Sequence, residues 1–518
     1  MKKLVAFIMA AAMAVTVFST VSFAAEAQIY SGNDTGAARK TADDSFTLGA
    51  SEEPTSLEPS NAQVLTGWMI TAAVYDTLVK TNEDGSMENV LAESVEYTDD
   101  TTLVIKVKQG IKFHNGTELT ADDVLFTLER LAASSRYGTN YACIDFENTT
   151  IDDDYTLTVK LTEAYAPLLA FLGHQSAGIM SRAYFDEVGE EGIARSPMGT
   201  GAFIFDSWTS GDRVVCHRND EYWGEEPAYK DLIVRFIPEA TTRMVEFETG
   251  AVDAIIDPAS EDIERMEAGE IDDAILYQFQ GELVTRVEMY EGFEPFQNED
   301  VRRAIIMAID WPASVEIAYG SAMQYTSCEL PSDCRFYVET PDYEYDPEAA
   351  KALLAEAGYP DGFELYTAVT AGSSDAQLLE IIQAQLAEIG VSLEIETTDV
   401  MTMIQKELTG EANFGVVNGT ASVKDPDQVV SNVKASSPFA LTSKTTLPEL
   451  DELLVTAAAS VDDDTRAELY AEAMNYIYDH AVNIPCAVSV VNFCVQDYID
   501  YFPATASGHI EFSTITFK

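Results

Sequence analysis

Between Lys112 and Arg130 the chain reads Lys-Phe-His-Asn-Gly-Thr-Glu-Leu-Thr-Ala-Asp-Asp-Val-Leu-Phe-Thr-Leu-Glu-Arg, and each part of it restricts the backbone. Asn115-Gly116 marks a tight turn, because both residue types tolerate positive φ. Thr120 offers a helix N-cap, Asp123 is placed as its capping-box partner, and Asp122 sits near the positive end of the helix dipole. Val124, Leu125, Leu128 and Leu131 then fall on one helical stripe that must be buried. The unit is strand, turn and capped helix.

The same alternation extends along the chain. At 518 residues it is too long for one core, so two or three domains are expected. Thr102–Lys108 and Thr156–Leu161 show the two-residue period of half-buried strands, and Phe203–Trp208, Arg213–Arg218 and Leu232–Ile237 read the same way. The later part is richer in helices. Glu299–Ala308 places Val301, Ala304, Ile305 and Ala308 on one face. Asp346-Pro347 starts another helix, which Gly358 ends. Ser374 begins a third, ended by Gly390 and followed by a strand over Val391–Thr397, and a long helix covers about Asp464–His480. Mixed elements of this kind indicate α/β or α+β lobes.

Charge and cysteine usage limit the possible partners. With 30 basic against 88 acidic residues, the formal net charge is −58, which repels nucleic-acid phosphates. Lys2-Lys3, an apolar run over Leu4–Val21 and small residues at Ala24 and Ala27 read as a signal peptide over residues 1–27, so the protein is expected to be exported. The first cysteine is Cys143, so no lipid-anchor cysteine follows that signal, and a periplasmic, cell-surface or extracellular location is expected. Residues 28–45 are small and polar, as in a disordered linker. In an exported chain Cys328 and Cys334 are candidates for a disulfide, and Cys486 and Cys494 for a second across a hairpin; the alternative is buried thiols. Five scattered histidines and no Cys-x-x-Cys give no metal site, and no cofactor is expected. Lys80 stands at the first ligand position of an EF-hand-like Asn82-Glu-Asp-Gly85 segment, which argues against calcium. Gly199-Thr-Gly201 reads as a structural turn, and no Gly-x-Ser-x-Gly or His-Glu-x-x-His motif suggests an enzyme.

The segment Lys112–Arg130 also closely resembles the signature of extracellular solute-binding proteins, family 5, the peptide- and nickel-type receptors of ABC importers. Further stretches resemble that family in the same order: Val74-Tyr-Asp-Thr-Leu-Val79, Leu91-Ala-Glu-Ser94, Ser196-Pro-Met-Gly-Thr-Gly201, Arg218-Asn-Asp-Glu-Tyr-Trp-Gly224, Tyr345-Asp-Pro-Glu-Ala-Ala-Lys351 and Asp425-Pro-Asp427. The resemblance implies a two-lobed periplasmic-binding-protein fold of class II, cluster C type. Lobe I would comprise 46–283 plus 495–518 with an extra subdomain inserted at about 87–195, and lobe II would span 284–494. It implies a monomeric, non-enzymatic receptor that captures peptide or peptide-like solutes and hands them to a permease with its ATPase subunits. A non-peptide solute such as an oligosaccharide, an opine or a metal chelate is the alternative.

The resemblance also locates a cleft, expected to be lined by Leu65–Trp68, Tyr141, Thr367–Gly372 and Asn418–Ser422. Trp68 is placed there by its loop position, and Tyr141 by analogy with an extended-ligand contact. Asn418, Gly419, Thr420 and Ser422 precede Asp425-Pro426, where family peptide receptors carry an aspartate for the ligand ammonium. That position is Ser422 here, and Gly419 stands where a tryptophan is common. No arginine occurs between Arg335 and Arg466, so the usual carboxylate fork is also missing. Lys424 is expected to pair with Asp425.

Overall fold

The computed structural model describes residues 27–33, 35, 44–82, 85–431, 433–434 and 447–518. The expected signal peptide, apart from Ala27, lies outside them.

The local signals of the opening segment fold as their chemistry requires. Gly116 adopts φ +87°, the Thr120 N–H donates to Asp123 Oδ2 at 3.0 Å, and the capping box starts helix Ala121–Ala133. Val124, Leu128 and Leu131 are buried on a four-stranded antiparallel sheet made by Ala92–Asp99, Thr102–Val107, Thr156–Lys160 and Thr150–Asp153. This region has its own apolar core, including Leu103, Ile105 and Leu157.

A ten-stranded sheet runs through the rest of the molecule. Its centre is Ser45–Ala50, buried along its whole length and parallel to both Asp231–Phe236 and Ala254–Ile256. Arg213–Arg218 and Phe203–Thr209 extend one side antiparallel. On the other side lie two unusually long strands, Ala274–Met289 and Ile484–Gln496. One half of each belongs to lobe I: Ala274–Gln280 pairs with Val490–Gln496, beside Ala254–Ile256 and Gln28–Ser31. Their far halves belong to lobe II: Val284–Val287 pairs with Ile484–Val488, flanked by Phe414–Thr420 and Met323–Tyr325. The two strands therefore cross between lobes that keep separate cores. Phe46, Leu48, Val234 and Phe493 pack on the first side, and Val287, Phe296, Trp311 and Leu378 on the second.

The register breaks where the strands change lobes. Gly281, Glu282 and Leu283 face Ser489, a bulge that bends the pair and interrupts its ladder. A Cβ on Gly281 would lie 2.2 Å from Ser489 Oγ, whose oxygen also accepts the Leu283 N–H at 3.2 Å. Glycine is required there because Ser489 occupies the space.

Three expectations change. Gln28–Ser31, within the expected linker, is an edge strand on Ala274–Met289: Tyr30 packs on the Ile263 and Met266 cluster, which its polar neighbours conceal in the sequence. Residues 490–494, expected in lobe II, already pair within the lobe I sheet. All six cysteines are buried free thiols. Cys486 and Cys494 share one extended strand, about 26 Å apart at its usual rise, so they cannot meet. Cys328 Sγ lies 3.1 Å from Tyr337 Oη, whereas Cys334 packs in a separate cluster with Leu330 and Tyr470, so these two are not bridged either.

Substituting Gly281→Ala should lower stability by about 1–3 kcal/mol through overpacking. The double variant Gly281→Ala/Ser489→Gly should recover most of that loss in chemical denaturation, since removing the serine side chain clears the space.

Candidate ligand-binding site

Where the crossing strands bend, a cavity of about 620 Å³ opens between the lobes. Lobe I supplies Asp76, His174, Tyr222 and the C-terminal segment through His509; the crossing strand supplies Tyr277, Phe279 and Glu282; lobe II supplies Ser422, Val423 and Lys424.

Asp76 follows helix Leu65–Val74 and is held by three donors: Thr200 Oγ1 at 2.8 Å, Trp223 Nε1 at 2.9 Å and Tyr222 Oη at 3.1 Å. Burial pushes its carboxyl above the ordinary range while these bonds pull it back. The Gly199-Thr-Gly201 turn makes this arrangement possible, because a Cβ on Gly199 or Gly201 would meet the carbonyls of Val74 or Ala73 at 2.3 and 2.6 Å. Tyr222 and Trp223 thus anchor the wall through Asp76.

Two histidines line the cavity in neutral form. His174 Nδ1 accepts the Ser176 N–H at 3.1 Å, and burial, with Arg136 nearby, lowers its pKa to about 4. His509 is lowered to about 4 by burial alone.

The lobe II wall is a tight turn fixed by ion pairs. Lys424 adopts φ +55°, and its Nζ lies 3.1 Å from Asp333 Oδ2. The expected Lys424–Asp425 pair does not form. Asp425 instead receives both bonds of a fork from Arg466 Nη2, at 2.9 and 2.8 Å, while capping helix Pro426–Val430. Arg466 comes from helix Asp463–Asp479, far along the chain, where no local signal links it to Asp425. Beyond the cavity the lobes meet again: Tyr165 Oη donates to Asp427 Oδ2 at 2.8 Å, and the Ala166 N–H to Ala458 O at 2.8 Å.

Of the expected site residues, Ser422 lines the cavity, and Trp68 borders an adjoining recess shared with Ser422 and Glu282. The Trp68 indole N–H donates to Ala62 O at 3.0 Å. Tyr141 is corrected: at 1% exposure it lies in the core near Phe171, to whose carbonyl its hydroxyl donates at 2.9 Å. Its aromatic bulk fills the inner layer of the four-stranded sheet rather than the cleft. Asn418, Gly419, Thr420 and the stretch 367–372 stand outside both the cavity and the recess. Asn418 bonds Thr285 and Asp375, Gly419 leaves room for the Arg286 guanidinium, and Thr420 pairs with Leu283. Sequence reasoning missed Glu282 and His509, which carry no motif and reach the site only through strand register and chain closure.

Two lobes, two long crossing strands and a cavity lined from both sides define a solute-binding protein of the hinged type. The chain belongs to the bacterial extracellular solute-binding proteins, family 5, whose middle region matches residues 86–440. Heme-binding protein A of Haemophilus influenzae is 29% identical over 489 residues, covering 88% of each chain. The structure of HbpA2 from Haemophilus parasuis superposes with a TM-score of 0.83 at 26% identity, covering 92% of this chain and 100% of that one. The ABC transporter-associated periplasmic binding protein DppA from Helicobacter pylori, in complex with the peptide STSA, matches with a TM-score of 0.72 at 25% identity, covering 91% and 98%.

Because His174 titrates near 4 when folded and near the ordinary 6.5 when unfolded, the unfolded chain takes up a proton first as pH falls. This histidine therefore costs no stability above about pH 6.5 and progressively more down to about pH 4. In calorimetric scans, His174→Gln should lose less Tm than the wild type across that window. Arg466→Met, which leaves the buried Asp425 without its fork, should cost about 3–5 kcal/mol in denaturant unfolding.

Proposed function

We propose that this protein captures short peptides or peptide-like solutes in the interlobe cavity and delivers them to the permease of an ABC importer, whose ATPase subunits drive uptake. The observation that carries the reading is the cavity itself: its walls come from both lobes, and the bulged first crossing strand lines it between them with Tyr277, Phe279 and Glu282. A volume of about 620 Å³ falls in the size range of small-molecule sites. Tyr222, Tyr277 and Phe279 offer apolar surface to side chains, while hydroxyls and main-chain groups around Ser422 offer hydrogen bonds.

The mechanism is a population shift. Contacts made with both lobes exist only in the closed form, so a bound solute stabilises closure by its differential affinity. Micromolar capture needs about 8 kcal/mol of net binding free energy. The bulge opposite Ser489 leaves backbone groups with weakened pairing, which lets the strands flex there without disturbing either core. Tyr165 and Asp427 join the lobes and act as a latch.

On this reading the protein works outside the cytoplasmic membrane as a monomer and returns its solute chemically unchanged. No helix among the described residues is long and apolar enough to cross a membrane.

Isothermal titration with short peptides should show one-to-one binding, and incubation should leave the peptides intact by mass spectrometry. Stabilisation by another solute class and by no peptide would sink the reading. Tyr165→Phe should weaken affinity several-fold, as expected for one net hydrogen bond of about 1 kcal/mol present only in the closed form.

A further inference from the structure

We infer that Glu282, on the bulge of the first crossing strand, is the residue that binds a cationic group of the solute, an amino terminus on the peptide reading above. Three carboxylates line the cavity: Glu511 is exposed, Asp76 half-buried and Glu282 buried, and the circumstances of the last two differ. Asp76 is fully committed to Thr200, Tyr222 and Trp223. Glu282 is 8% exposed and lines both the cavity and the recess beside Trp68, yet its Oε1 has no hydrogen-bond partner in the protein.

The neighbouring charges compensate it only in part. Lys424 lies close by on the lobe II wall, but its ammonium is 3.1 Å from Asp333. The other buried lobe II acids nearby have their own partners: Asp425 has Arg466, Glu329 has Arg286 and Asp427 has Lys434. Glu282, Asp333 and Lys424 thus leave one carboxylate in excess at the cavity floor. The two cavity histidines are held neutral and add no positive charge. Burial, with Asp333 adding to it and Lys424 offsetting only part of it, raises the Glu282 carboxyl well above its ordinary range.

A buried carboxylate without a partner is costly, and a ligand ammonium within hydrogen-bond reach would remove that cost. Its position matters as much as its charge. The Glu282 backbone carbonyl accepts the Ala421 N–H at 3.0 Å, tying the bulge to the turn that carries Ser422. A cation seated on Glu282 therefore contacts the joint between the lobes, so occupancy and closure are coupled at one residue.

The test compares wild type with Glu282→Gln, which keeps the shape and removes the charge. Each is incubated with a synthetic pool of short peptides carrying free amino termini and with the same pool N-acetylated, and retention is read by native mass spectrometry. The wild type should retain free-amino peptides at least tenfold better than acetylated ones. Glu282→Gln should lose that preference, and Glu282→Asp should keep part of it. Without ligand, Glu282→Gln should have a higher Tm than the wild type, whereas a purely structural glutamate would give a lower one. Equal retention of both pools by the wild type, or undiminished preference in Glu282→Gln, overturns the assignment while leaving the receptor reading intact. Retention of neither pool by the wild type overturns the peptide reading and this assignment together.

Discussion

The structure depends on the pairing of Ala274–Met289 with Ile484–Gln496. These strands alone among the sheet's members are long enough to serve two cores, and they do so by changing partners midway. Each half is locked by the burial of side chains such as Leu276 and Phe493 on one side and Val287 and Ile484 on the other. Register is strongly specified where one face is buried, because a one-residue slip would reverse every side chain. The break opposite Ser489 is the place where that specification lapses, and the cavity lies over it.

Charge is managed differently on the two sides of that break. The surface carries a large acidic excess, yet buried acids are mostly given individual cations or arrays of donors. Asp425 with Arg466 and Asp76 with its tyrosine, tryptophan and threonine show the two solutions. Neither wall of the cavity is therefore free to rearrange electrostatically. What remains adjustable is the distance between the walls, as expected of a device that responds to a guest by closing.

Much of the architecture was legible in local chemistry. Thr120 with Asp123 and Asp346 with Pro347 announced their helices, because a cap is satisfied within a few residues of itself. Arg213–Arg218 appears as read, since alternation along a strand directly records which face is buried. The site was much less legible. Ser422 lines the cavity, whereas Tyr141, expected there too, is buried, since an aromatic ring in that context fits the core equally well. The thiols misled for a similar reason: spacing along the chain says nothing of whether one strand carries both partners, as it does for Cys486 and Cys494.

By itself the sequence determined the α/β character, the succession of elements and the family, because caps, turns and hydrophobic periods are written over short stretches. Only tertiary structure decided that Glu282, His174, His509 and Lys424 share one cavity, and that Arg466 rather than Lys424 neutralises Asp425. These residues are separated by long stretches of chain, and their meeting is set by the register of two crossing strands. That register minimises the free energy of two cores at once, a condition no local window of residues contains.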